Sequence, residues 1–219
     1  MEIPRLGRSP TREEPDVTAD KGPAAEVSEE WARKRRQILD AAAEVFFVHG
    51  FARGTTKEIA AKVGMSQPSI YHYVGSKEDL MVEIARQVSG DFTERLDEVI
   101  RAGGSPLEQL CRVIDSFVES LVLNQRTFPV YWKEYRSLPP DVAKEVSAAE
   151  RSYVQRFEDL VRHVQQAGHL PADQPTRVVS EGILGMMSWM HWWYRPEEFT
   201  PQQVATAFRA LAGLPTELP

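Results

Sequence analysis

Apolar residues recur every three or four positions along almost the whole chain, and the two-residue alternation of a half-buried strand takes over nowhere. The pattern predicts an all-α protein. Trp31, Arg35, Ile38, Ala42 and Val45 mark one stripe of a first helix, which starts at Ser28 with Glu29 and Glu30 in its first turn and stops at Gly50. Thr55 and Glu58 have the spacing of a capping box. The helix they open turns Ile59, Ala60 and Val63 to one side and ends at Gly64. Ser66 caps a second short helix over 67–74, with Pro68 in the first turn, where a missing N–H costs nothing. Ile70 and Val74 lie four apart and face inward, so Gln67, Ser69, Tyr71, His72 and Tyr73 point elsewhere. A third helix starts at Ser76. Two short helices across a tight turn are the grammar of a helix-turn-helix, whose second helix enters the DNA major groove.

Met81, Ile84, Val88, Phe92, Leu96 and Val99 carry the third helix on until Gly103-Gly104-Ser105-Pro106 breaks it. A second all-helical body follows. One helix spans 107–123, with Leu110, Val113, Ile114, Phe117 and Leu121 inward, and a short aromatic one spans 128–136. Val142, Val146, Ala149, Tyr153, Phe157, Leu160 and Val164 then repeat over about six turns, up to Gly168. The next helix, 174–194, is apolar on two sides: Val179, Ile183, Met186, Met190 and Trp193 on one, Val178, Gly182, Gly185 and Trp189 on the other. A helix apolar nearly all round is covered on both sides. Thr200-Pro201-Gln202-Gln203 caps a closing helix that carries Val204, Phe208 and Leu211.

Residues 1–27 are rich in proline, glycine and charge with little apolar to bury, and read as a disordered leader; Arg5, Arg8 and Arg12 there offer a minor-groove arm as a second reading. The expected division is therefore a leader over 1–27, a DNA-binding domain over 28–75 and a ligand-binding and dimerisation domain over 76–219. Charge changes how the head must work. The chain is net −6, divided as −2 over 1–27, +1 over 28–80 and −5 over 81–219. A head at +1 has a weak electrostatic footprint, so two heads must be used together. The basic run Arg33-Lys34-Arg35-Arg36 is either a solvated face or a set of phosphate contacts. Cys111, alone and within an apolar helical pattern, excludes an intrachain disulfide and a multi-cysteine metal site and reads as a buried thiol. The five histidines have no metal-ligand spacing, no glycine-flanked serine nucleophile or nucleotide fingerprint occurs, and no cofactor is expected. Neither a signal peptide nor a membrane-spanning run is read, so a cytoplasmic protein without a membrane partner is expected.

The stretch 38–80 closely resembles the DNA-binding domain of the tetracycline-repressor (TetR/AcrR) family. The residues that carry it are Ile38-Leu39-Asp40-Ala41-Ala42, Phe46 with His49-Gly50-Phe51, Thr55-Thr56, Ile59-Ala60, Val63-Gly64-Met65-Ser66, Ile70-Tyr71-His72-Tyr73 and Ser76-Lys77-Glu78-Asp79-Leu80. The resemblance implies a regulator, not an enzyme, that binds double-stranded operator DNA as a homodimer through its last two long helices. By motif position it implies phosphate contacts from Thr56, Tyr73 and Lys77 and a groove-facing set of Gln67, Pro68, Ser69, Tyr71 and His72, with the caps Thr55 and Ser66 beside them. Gln67-Pro68 departs from the family's common basic residue followed by a small one, which leaves the operator sequence open. The stretch Met186–Pro196, ending Trp193-Tyr194-Arg195-Pro196, resembles acyl-CoA-responsive members that control fatty-acid or sterol catabolism. It implies a small hydrophobic or acyl-CoA-type effector in a pocket of Phe128, Trp132, Met186, Trp189, Met190 and Trp193, with Arg136 or Arg195 meeting a thioester carbonyl or phosphates. Core and dimer packing is the competing account of the tryptophans. Two other functions stay open: a regulator of drug efflux answering to a hydrophobic drug, and a helical interaction module without operator binding.

Overall fold

The computed structural model describes residues 23–217, without the side chains of residues 23–29 and of Arg136. Most of the expected leader, Arg5, Arg8 and Arg12 included, lies outside the described residues. Among those described, nine α-helices and one 3-10 turn follow in order, and no strand occurs. They are α1 (Pro23–His49), α2 (Thr56–Lys62), α3 (Gln67–Ile70), α4 (Lys77–Ala102), α5 (Pro106–Leu123), α6 (Thr127–Glu134), the turn Tyr135–Ser137, α7 (Pro140–Gln166), α8 (Thr176–Trp193) and α9 (Pro201–Leu211). The all-α expectation holds. The first helix starts five residues before Ser28, at Pro23: proline suits a first helical turn, and Ala24, Ala25 and Glu26 are good helix formers.

The head packs α1, α2 and α3 around Ile38, Ala42, Val45, Ile59, Ala60, Ile70 and Val74, all buried. Both arms of the capping box form, Thr55 Oγ1 accepting from Glu58 N–H at 3.2 Å and Glu58 Oε2 accepting from Thr55 N–H at 2.9 Å. Gly64 takes φ 67°, so Met65 N–H can turn back to the carbonyl of Ala60 at 2.9 Å. α3 is shorter than the expected 67–74. It stops at Ile70 and continues as a turn in which Tyr73 and Val74 both donate to the Ile70 carbonyl, at 2.8 and 3.0 Å. Tightening there sends Val74 into the core just ahead of Gly75.

α4 runs 26 residues, about 39 Å at 1.5 Å per residue, and joins head to body. Leu80, Met81 and Ile84 belong to its head end and Val88, Phe92 and Leu96 to its body end, all buried. α5 is the central helix of the body and packs on α4, α7, α8 and α9. Its Leu110, Cys111, Ile114 and Val118 are wholly buried, together with Phe157, Val161 and Val164 of α7 and Met187 of α8. Burying each large side chain of this set contributes roughly 1.5–3 kcal/mol. No described helix is long and apolar enough to cross a membrane.

Candidate DNA-binding surface and effector cavity

α3 and the turn that follows it present Gln67, Pro68, Tyr71 and His72 to solvent, as expected of a groove-facing set, with Ser69 half-buried beside them. Three neighbours are committed to holding this surface. Thr55 donates its hydroxyl to Glu58 Oε2 at 2.8 Å, and Ser66 caps α3 by accepting from Ser69 N–H at 3.3 Å. Thr56, expected on a phosphate, is only 7% exposed. Its Oγ1 accepts from the Gln67 side-chain amide at 2.9 Å and lies 3.1 Å from the Tyr71 hydroxyl. Thr56 is thus a buried post that aims Tyr71 and Gln67, because its small side chain points between the two short helices instead of outward. The second N–H of the Gln67 amide and its oxygen stay free, so it can pair an adenine with both amide atoms while held on this post.

Tyr73 is half-buried and stacks on Trp31, centroids 5.9 Å apart. Arg35 stands 5.6 Å above the same indole, donates to the Tyr73 carbonyl at 3.4 Å and pairs with Glu83 of α4. One member of the basic run is therefore tied down by the head–α4 junction; Trp31 is a half-exposed platform instead of a core residue. Lys77 lies at the N-terminus of α4 with Nζ 4.6 Å from the centre of Phe51, donating to the Ala52 carbonyl at 3.2 Å.

In the body, α4 to α8 line a half-open cavity of about 480 Å³, within the size range of small-molecule sites. α4 contributes Val88, Ser89, Phe92 and Thr93, and α5 contributes Phe117; α6 contributes Phe128, Tyr131 and Trp132. α7 contributes Ala149, Glu150, Tyr153 and Val154, and α8 Glu181, Leu184, Gly185, Ser188, Trp189 and His191. Of the expected pocket residues, Phe128, Trp132 and Trp189 line this space. The others do not. Met190 is buried in the core and Met186 packs against it, on the side of α8 turned away from the cavity. Trp193 meets Phe199 and Phe208 edge-on. Arg195, past the helix end, is exposed and donates to the carbonyl of its neighbour Tyr194 at 2.9 Å. The Arg136 side chain lies outside the described residues. Sequence reasoning overlooked Tyr131, Glu150, Tyr153 and His191. The one signal for them is a carboxylate next to the apolar stripe of α7, three residues before Tyr153. Tyr131 donates its hydroxyl to Glu150. Burial first, and that carboxylate second, push the phenol's pKa well above its ordinary value; burial does the same to Tyr153.

Head and cavity meet at α6. Just before it, Arg126 pairs with Glu44 of α1, which also accepts from Lys62 of α2 at 2.7 Å. At its other end Glu134 accepts from Phe51 N–H, in the α1–α2 connection, at 3.3 Å.

Residues 38–84 match the family described as bacterial regulatory proteins, tetR family, and residues 103–213 match the tetracyclin repressor-like C-terminal domain. The chain belongs to the TetR family. As a TetR-family member it is a DNA-binding transcriptional regulator, and its partner is double-stranded operator DNA, bound as a homodimer. It is similar to the fatty acid metabolism regulator protein of Bacillus subtilis (strain 168), 25% identical over 152 residues that cover 69% of this chain and 78% of the relative. The TetR fold recurs in the ketosteroid regulator KstR2 of Mycobacterium tuberculosis, at TM-score 0.76 and 23% identity, covering 82% of this chain and 92% of that one. It recurs as well in AibR, whose structure holds isovaleryl coenzyme A and operator DNA, at TM-score 0.70 and 22% identity, covering 83% and 99%.

One face of α8 is uncovered in the single TetR-family chain described. Val178, Trp189 and Trp192 are 66, 62 and 60% exposed. A Cβ added at Gly182 or Gly185, on the same stripe, would meet nothing within 4 Å. α7 does not share this excess: its apolar positions are turned inward and Arg151, Ser152 and Gln155 face out. In the single chain the apolar stripe of α7 is taken up by the core, through Val142, Val146, Phe157, Leu160 and Val164, and by the cavity, through Ala149 and Tyr153. α9 instead leaves Leu211 exposed.

Proposed function

We propose that this chain is a one-component repressor, cytoplasmic, whose operator complex is released when a small hydrophobic effector enters the α4–α8 cavity. The observation that carries the reading is the double attachment of α6. The same eight-residue helix supplies Phe128, Tyr131 and Trp132 to the cavity and is fastened to the head at both ends, through Arg126–Glu44–Lys62 and Glu134–Phe51. An effector that spreads the aromatic wall displaces α6 and, with it, the α1–α2 connection. A ligand favouring the displaced state shifts the population away from the spacing that two half-sites require.

In this reading the chain divides into a leader that ends where α1 begins at Pro23, a DNA head through residue 75 and a ligand-binding and dimerisation body over 76–219. Gln67, Pro68, Ser69, Tyr71 and His72 face the groove; Tyr73 and Lys77 meet the backbone, with Thr55, Thr56 and Ser66 as their supports. The second copy covers the Val178–Trp192 face of α8, an exposed apolar stripe of the kind that marks an interface. The relatives' fatty-acid, ketosteroid and isovaleryl coenzyme A connections support an acyl-CoA thioester as effector. Its acyl part fits the aromatic walls, and its phosphates stay outside them.

The test is displacement of a fluorescent duplex from the intergenic DNA beside the gene, with a panel of acyl-CoAs. Release is expected at micromolar effector. Glu134→Ala is expected to keep operator affinity and to need about tenfold more effector, from one lost hydrogen bond to a charged acceptor. Absence of sequence-selective binding at moderate salt would sink the proposal.

A further inference from the structure

The carboxylates are the charged groups that stand out around the cavity, beside hydroxyls and the indole N–H groups of Trp132 and Trp189. Glu150 and Glu181 bring carboxylates to its wall, and no described wall residue is a lysine or arginine. His191 Nδ1 lies 2.5 Å from the Ser188 carbonyl. Only an N–H approaches a carbonyl so closely, which makes Nε2 of the neutral ring an acceptor. That Nε2 is buried and meets no donor from the protein. Thr93 has committed its proton as well, donating to the Ser89 carbonyl at 2.9 Å. Aromatic faces join that nitrogen to the carboxylate: His191 packs 5.3 Å from Phe128, which packs 6.3 Å from Tyr131, which donates to Glu150.

A carboxylate in an aromatic wall is costly unless donors reach it, and a single phenol fills only one of its acceptor positions. An anionic ligand head placed there would be repelled. Ring faces next to a carboxylate favour an ammonium. Resting on the reading of this cavity as the effector site, we infer that it selects an apolar molecule carrying an N–H or O–H donor to Glu150 and rejects one carrying a carboxylate. An amphiphilic amine or alcohol supplies that donor; so does an acyl thioester hydroxylated at the far end of its chain.

The test uses the purified full-length dimer and reads tryptophan fluorescence, since Trp132 and Trp189 line the cavity. Decylammonium, decan-1-ol and decanoate are titrated below their aggregation concentrations, then decanoyl-CoA and 10-hydroxydecanoyl-CoA. Decylammonium and decanol are expected to bind at least about tenfold more tightly than decanoate. In Glu150→Gln, decylammonium weakens about tenfold and decanoate gains, whereas Glu150→Asp restores the original order. If the natural source is a thioester, the hydroxylated CoA ester binds better than both amine and plain ester; if it is an amphiphile, the amine leads. Equal binding of decanoate and decylammonium to the unaltered protein overturns the inference, as does an order unchanged by Glu150→Gln. Operator release is followed in parallel. Ligands that bind in the expected order without releasing DNA would leave this selectivity standing and remove the effector role.

Discussion

Thr56 separates two accounts of how the head is built, and replacing it with valine distinguishes them. The hydroxyl is buried and is held at 2.9 Å by the Gln67 amide and at 3.1 Å by the Tyr71 hydroxyl. Valine preserves the shape and removes both hydrogen bonds. At about 0.5–1.5 kcal/mol each, the two bonds amount to about 1–3 kcal/mol of ordering of the groove-facing residues. With 1.4 kcal/mol per tenfold, operator affinity should fall by roughly 5- to 150-fold. If Thr56 acts by aiming its partners, the loss depends on their presence. A double-mutant cycle therefore decides: Thr56→Val should cost most in the unaltered head and little after Tyr71→Phe together with Gln67→Ala, a coupling of about 1 kcal/mol or more. The assay is fluorescence anisotropy with an operator duplex at fixed salt, with thermal melting to confirm that each head is folded. Equal cost of Thr56→Val in both backgrounds would refute the post and favour direct contact between Thr56 and a phosphate.

Two further outcomes follow from the same geometry. Hydrogen bonds from the Thr55 hydroxyl first, and then its N–H, hold the Glu58 carboxyl below its ordinary 4.5. The cap's contribution is therefore present above pH 4.5 and lost as pH falls through the lower folded value, a loss that melting curves of Glu58→Gln, which keeps the cap without the charge, should not show. Val178→Glu places a charge on the exposed stripe of α8 and should convert the dimer to monomer in sedimentation. Operator affinity then drops by about tenfold or more because the second head no longer binds as part of one molecule; a monomer that keeps full affinity would contradict the need for two heads.

The amino-acid sequence by itself determined the elements and most of their capped starts, though not the start of α1 or the end of α3. Ser, Thr and Gly residues at helix boundaries act through bonds to N–H groups three positions away or through their own φ, so Thr55, Ser66, Ser76 and Thr200 act as caps in the structure just as their spacing indicates. The head's core was equally legible, because Ile59, Ala60, Ile70 and Val74 repeat at the helical period. Periodicity says that a residue lies on an apolar side; it does not say which neighbour occupies that side. Met186, Met190 and Trp193 share the apolar character of Trp189, yet only Trp189 reaches the cavity, because α8 is apolar on two sides and the packing of α5 and α7 decides which one is filled. Glu150 and His191 were invisible for a related reason: a carboxylate or an imidazole becomes part of a site only when α6, α7 and α8 bring it against aromatic faces from distant parts of the chain. Thr56 follows the same logic. Its position in the motif was readable, but only tertiary packing, which turns its hydroxyl toward Gln67 and Tyr71, makes it a support beneath the DNA-facing surface.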